Sequence, residues 1–145
     1  MMTSAQRYAR LRADCRDLGL RMTPQRDALL HVLSRARDHP TARQLCRGVR
    51  RALPSVSVAT VYRNVQQLAA ARIISTLDRA GVMQYDPNPD EHHHFVCDSC
   101  GATADIYLAR LNYRIDARRS PLKGSVVHGC EVQLRGRCAR CRQVA

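Results

Sequence analysis

Apolar side chains recur at helical spacing in four successive segments of the first half of the chain, and at strand spacing beyond them. Across residues 4–18, Tyr8, Leu11, Cys15 and Leu18 form one stripe against a face of arginines, and Gly19 ends the run. Thr23 followed by Pro24 reads as an N-cap with proline at the first helical position, and Ala28, Leu29, Val32 and Leu33 share the next inward face. Thr41 with Gln44 three residues on forms a capping box for a third helix. Its inward residues are Leu45, Val49 and Leu53, and Pro54 stops it. Ser57 caps a fourth, with Val58, Val61, Val65 and Leu68 inward and Ala59, Thr60, Tyr62, Arg63, Asn64, Gln66 and Gln67 outward. The period then falls to two. A strand is predicted over 73–77, a turn at Ala80 and Gly81, and a second strand over 82–86. Short helices followed by a β-hairpin describe a winged helix-turn-helix.

Two prolines and turn-forming residues over 86–90 mark the domain boundary. Beyond it, short strands are expected around 94–97 and 104–107, a short helix within 109–119, and an extended run over 126–134. In that run Val126, His128, Cys130, Val132 and Leu134 share one face. The fold class is therefore α+β: a winged-helix domain over 1–86, a hinge over 87–91, and a small α/β domain over 92–145.

Charge sharpens this division. Residues 1–85 carry 15 Arg against 5 Asp, whereas 86–145 carry 9 basic against 7 acidic side chains. A basic half beside a near-neutral, cysteine-rich half reads as a polyanion-binding domain joined to a sensing or assembly domain. The outward face of the fourth helix is small and polar near its start, with one aromatic and one arginine. A helix entering a major groove needs such a face, with Ala59, Thr60, Tyr62 and Arg63 as readers, although an ordinary surface helix has the same look when it stands alone. No apolar N-terminal region or membrane-length apolar run occurs, so the expected compartment is the cytoplasm. There, seven cysteines argue for metal binding before disulfides.

The cysteines carry the strongest chemical pattern. Cys97 and Cys100 are matched by Cys138 and Cys141, two C-x2-C pairs suited to a closed tetrahedral zinc site. A redox dithiol needs only one such pair, and four thiolates leave no open position for catalysis. His92 and His94 alternate and point one way, with His93 opposite. Together with His39, Asp86 and Asp105 they would make an N/O site suited to Fe(II), Mn(II) or a related metal. Spacing alone equally allows an exposed histidine-rich strand and a surface His39. A zinc hydrolase or nucleobase deaminase would place H-x-E before P-C-x-x-C, and neither C-x-x-C here follows a proline.

The runs R-M-T-P-Q-R (21–26), H-P-T-A (39–42), S-V-A-T-V-Y-R-N-V (57–65), H-H-H-F-V-C-D-S-C-G (92–101) and C-A-R-C (138–141) resemble the ferric uptake regulator family of metal-dependent repressors. The resemblance covers nearly the whole chain from about residue 8. It implies a homodimer on palindromic double-stranded operator DNA, with dimerisation through the C-terminal domain, and DNA contacts at Arg21, Ser57, Ala59, Thr60, Tyr62 and Arg63. It further implies structural zinc at Cys97, Cys100, Cys138 and Cys141, and a regulatory Fe(II) or Mn(II) at His39, Asp86, His92, His94 and Asp105. Iron-sensing members place Glu at the last of these positions and peroxide-sensing members Asp. With Asp at both 86 and 105, the chain is most similar to the peroxide sensors, in which iron-driven oxidation strikes a ligand histidine, here His39 or His94. An iron-, zinc- or nickel-uptake repressor is the alternative. The family's additional site is poorly matched, with His93, His128 and Cys130 left as an unusual remnant.

Overall fold

The computed structural model describes residues 2–143 apart from 80, 111, 113, 117, 128 and 129. Its chain divides into two compact units, Met1–Asp90 and Glu91–Ala145, a boundary that falls inside the 87–91 stretch.

The described residues of the first unit form four helices, α1 (Ser4–Asp17), α2 (Pro24–Arg35), α3 (Ala42–Arg50) and α4 (Val58–Ala70), then a hairpin of β1 (Ser75–Arg79) and β2 (Val82–Asp86). Each helix starts on a hydroxyl cap: Thr3, Thr23, Thr41 and Ser57 each accept a backbone N–H three residues on, and Thr3 and Thr41 complete capping boxes with Gln6 and Gln44. Leu11 and Cys15 of α1, Leu29, Leu30 and Leu33 of α2, Leu45 and Val49 of α3, and Val61, Val65 and Leu68 of α4 meet in one core. The α2–α3 crossing is close: a Cβ on Gly48 would sit 2.7 Å from Val32 Cγ1, so the backbone itself forms that contact surface. Arg26 is buried, its guanidinium donating to the Arg21 carbonyl and the Gln67 side-chain oxygen, which ties the start of α2 to α4.

Two expectations change here. Val58, expected inward, is 46% exposed, because it opens α4 one turn above the buried stripe. The first strand runs over Ser75–Arg79 instead of 73–77, since Ile73 and Ile74 enter the core before the ladder begins. The hairpin is antiparallel, pairing Ser75 with Asp86 and Arg79 with Val82, and the Asp78 carboxylate accepts the Gly81 N–H at 2.9 Å to close the turn. The loop before α3 is fastened to this hairpin. Thr41 bridges Gln84, and the Tyr85 N–H donates to the Pro40 carbonyl at 3.0 Å.

The described residues of the second unit form a three-stranded sheet in the order β4-β3-β5, made of β3 (His93–Cys97), β4 (Thr103–Ile106) and β5 (Gln133–Gly136), followed by α5 (Ala139–Arg142). β4 runs antiparallel to β3 and β5 parallel to it. The long extended run expected over 126–134 is thus a four-residue strand that starts later; Val126 is 76% exposed and His128 lies outside the described residues. No helix occurs among the described residues of 109–119, where Ile115 is 44% exposed. Positions 111, 113 and 117 of that stretch lie outside the described residues. Val96 and Cys97 are the only buried hydrophobic residues among those described in this unit. No helix among the described residues is long and apolar enough to cross a membrane.

Candidate metal centres

β3 carries a centre at each end. At its C-terminal end Cys97 opens the knuckle Cys97-Asp-Ser-Cys100-Gly101, in which the Gly101 N–H returns to the Cys97 carbonyl at 2.9 Å with Gly101 at φ +71°, a conformation that glycine adopts without strain. Cys138 and Cys141 flank the start of α5, brought in by the parallel β5, whose Gly136 is in register with Cys97. The four sulfurs lie within 4.8 Å of one another, and Cys100 and Cys138 Sγ are 3.8 Å apart. Bonds of about 2.3 Å at tetrahedral angles give a sulfur separation of about 3.8 Å, so the cage fits zinc. The Cys138 N–H, 3.3 Å from Cys97 Sγ, and the Cys100 N–H hold the Cys97 thiol down to about 6. Hydrogen bonding to the Cys100 and Cys138 sulfurs pushes the Cys141 thiol up to about 12. A divalent cation in the cage would take the place of that proton.

At the other end of β3, His92 and His94 face each other, Nε2 to Nε2, at 3.1 Å. Asp105 pairs in register with His94 across β4, and its Oδ1 lies 3.9 Å from His92 Nε2. Glu131 Oε1 lies 2.9 Å from His94 Nδ1. Within the first unit, His39 and Asp86 form a second donor pair, Nε2 to Oδ2 at 3.8 Å, both side chains at most 3% exposed. Pro40 keeps His39 extended, and the Pro40–Tyr85 hydrogen bond sets it beside the next residue of β2, Asp86. The Asn88 N–H donates to Asp86 Oδ1 at 2.8 Å and fixes that carboxylate.

On α4, Ala59, Tyr62 and Arg63 are exposed opposite the buried Val61, Val65 and Leu68, and Thr60 is half-buried. The Ser57 hydroxyl accepts the Thr60 N–H and lies 2.8 Å from the Thr60 hydroxyl. Arg21 is exposed beside Arg12 and Arg16, around a cavity of about 760 Å³ against α1.

Residues 17–134 match the model of the ferric uptake regulator family. The chain belongs to that family. It is 30% identical over 131 residues to the peroxide-responsive repressor PerR of Staphylococcus aureus strain Mu50, covering 90% of this chain and 88% of the relative. Among solved structures, the Campylobacter jejuni peroxide stress regulator matches with a TM-score of 0.63 and 26% identity over 87% of this chain and 95% of that one. A zinc-bound manganese uptake regulator matches with a TM-score of 0.64 and 26% identity over 88% and 98%. As a ferric uptake regulator family protein, the chain is a metal-responsive regulator.

Within this family member the four cysteines come together as the spacing requires, and the expected histidines and aspartates gather as one donor group in each unit. Neither His93 nor Cys130 joins a group of three or more donors among the described residues; His93 Nδ1 instead accepts the Val132 N–H at 3.3 Å. Two participants escaped the sequence. Arg140, inside the second C-x-x-C, places its guanidinium 4.0 Å from Cys100 Sγ, and Glu131 meets His94. Both follow from the parallel register of β3 and β5, which no local spacing encodes.

Proposed function

We propose that this chain is a peroxide-sensing repressor of the ferric uptake regulator family. The observation that carries the reading is the aspartate at each regulatory position: Asp86 beside His39, and Asp105 beside His92 and in register with His94. The similarity to peroxide-responsive repressors supports it.

In this reading Cys97, Cys100, Cys138 and Cys141 hold zinc, and the two donor groups close on one regulatory Fe(II) or Mn(II), with His39 and Asp86 from the first unit and His92, His94 and Asp105 from the second. Closure fixes the two units so that α4 of each protomer faces a major groove, successive grooves being about 34 Å apart. Ala59, Thr60, Tyr62 and Arg63 meet base edges, the wing hairpin lies over the backbone, and Arg21 and its neighbours meet phosphates. Ser57, occupied as the helix cap, orients the start of α4. Homodimerisation falls to the second unit, where Tyr107, Ile115, Leu122, Val126, Val127 and Leu134 are each more than 40% exposed, an apolar surface that a partner copy would cover. The ligand arrangement allows one further step. A bound Fe(II) would supply the chemistry that opens the O–O bond of peroxide. In the net reaction peroxide would take two electrons from the ring of His39 or His94, one oxygen atom would end on a ring carbon, the other would leave as water, and the resulting oxo-histidine would no longer hold the units closed.

The test is reconstitution with Fe(II) without oxygen, a small excess of peroxide, and peptide mass mapping beside a Mn(II) sample. One added oxygen on the peptide bearing His39 or His92–His94, in the iron sample only and with loss of DNA retardation, is the expected result. Unmodified histidines with DNA binding intact would point instead to a metal-uptake repressor, a role to which the likeness to a manganese uptake regulator also lends support.

A further inference from the structure

We propose that Glu131 is the positioning residue for His94: its carboxylate holds the imidazole in one tautomer and aims the other ring nitrogen at the regulatory metal. The inference rests on the regulatory-site reading above and adds a residue to it. His94 is nearly enclosed, its side chain 5% exposed, whereas Glu131 reaches it from a 59% exposed position just before β5. The backbone aligns the two. The His94 N–H donates to the Val132 carbonyl at 3.1 Å, and Gln133 is in register with His94, so the parallel pairing that brings Cys138 to Cys97 also sets Glu131 beside the ring.

The chemistry follows from what each atom can do. A neutral imidazole has one N–H, and a carboxylate can only accept. With Glu131 Oε1 2.9 Å from Nδ1, a neutral ring that bonds this carboxylate carries its proton on Nδ1, which makes Nε2 the ring's donor atom for a metal. His92 Nε2 stands 3.1 Å from that same atom, close enough for one metal to be held by both nitrogens. A carboxylate on the far nitrogen also makes the ring a stronger donor, and removing such an outer partner typically costs about 10- to 100-fold in metal affinity. Asp105 belongs to a different part of the arrangement, approaching His92 from β4. Glu131 therefore acts through His94 and is not counted among the metal donors.

The experiment uses the zinc-loaded full chain and its Glu131→Ala and Glu131→Gln variants. Zinc content and melting temperature establish that each is folded. Long-range proton–nitrogen correlation spectra, without regulatory metal, read the His94 tautomer, and Mn(II) titration reads affinity. The expected result is an Nδ1–H tautomer in the wild type, a mixture in Glu131→Ala, and Mn(II) affinity about 10- to 100-fold weaker in Glu131→Ala. Glu131→Gln, whose amide oxygen still accepts from Nδ1, should restore the tautomer and most of the affinity. An unchanged tautomer in Glu131→Ala, or Mn(II) binding equal to wild type, would overturn the proposal. A wild type that bound no Mn(II) would overturn the regulatory-site reading itself, while the tautomers would still decide whether Glu131 holds the ring.

Discussion

Replacing Cys97 with serine should empty the cysteine cage and dissolve the second unit while the first stays folded. The second unit has almost no core of its own: Val96 and Cys97 are its only buried hydrophobic residues among those described, and its sheet has three strands of four or five residues. So small an assembly needs a staple. Zinc in a four-thiolate cage supplies about 10–16 kcal/mol of apparent binding free energy at neutral pH, and where the site forms only in the folded state this is folding free energy. Serine removes one donor and the sulfur that accepts the Cys138 N–H, so the knuckles lose their common point. The first unit keeps its separate core of helices and hairpin. Zinc content together with residue-resolved hydrogen exchange checks this: protection in β3, β4 and β5 should vanish while protection in α2 and α4 persists. Retention of sheet protection without zinc would show that the cage is not what holds the unit together.

The second large effect is expected from His39→Ala, which should abolish the metal-dependent part of DNA affinity without unfolding either unit. His39 lies in a loop, and its buried ring faces Asp86 instead of filling the helical core, so the first unit should lose little stability. The proposed regulatory metal would lose one of the two donors by which the first unit grips it. Its affinity should fall by more than the roughly 10- to 100-fold that an outer partner costs, and with it the preference for the closed, DNA-competent form. Salt-sensitive binding to random DNA should remain, because the excess of arginine over 1–85 is untouched. Fluorescence anisotropy on operator and random duplexes, with and without Mn(II), reads both terms. If Mn(II) stimulated the variant as much as the wild type, His39 would not belong to the site.

How much of this was legible beforehand follows from the range of the interactions. The caps at Thr23, Thr41 and Ser57 act within three residues, so the helix starts were readable from the chain. The two C-x-x-C pairs were readable because a thiolate cage imposes its own short spacing. Ile73 and Ile74 misled, because apolar β-branched residues suit a ladder and a core equally, and here the core took them. The run over 126–134 misled because alternation says nothing about where pairing begins, nor that β5 lies parallel to β3 across more than thirty intervening residues. Glu131 was hidden for the same reason.

The five residues of β2 join two ends of the first unit. The strand opens at the hairpin tip with exposed Val82 and Met83 and closes with buried Tyr85 and Asp86, the pair that fastens the His39 loop and its carboxylate partner. In the proposed function, whatever steadies the tip against DNA would therefore also steady the end that carries the proposed ligands. Coupling of this kind is reciprocal: a metal that tightens DNA binding by some factor must itself be held tighter on DNA by that factor. Repressor seated on its operator would then keep its metal after the free pool has lost it, so that falling metal supply would clear unbound protein first and occupied promoters last. Mn(II) titrations with and without operator duplex give the factor, and a ratio of one would mean that metal and DNA do not communicate at all.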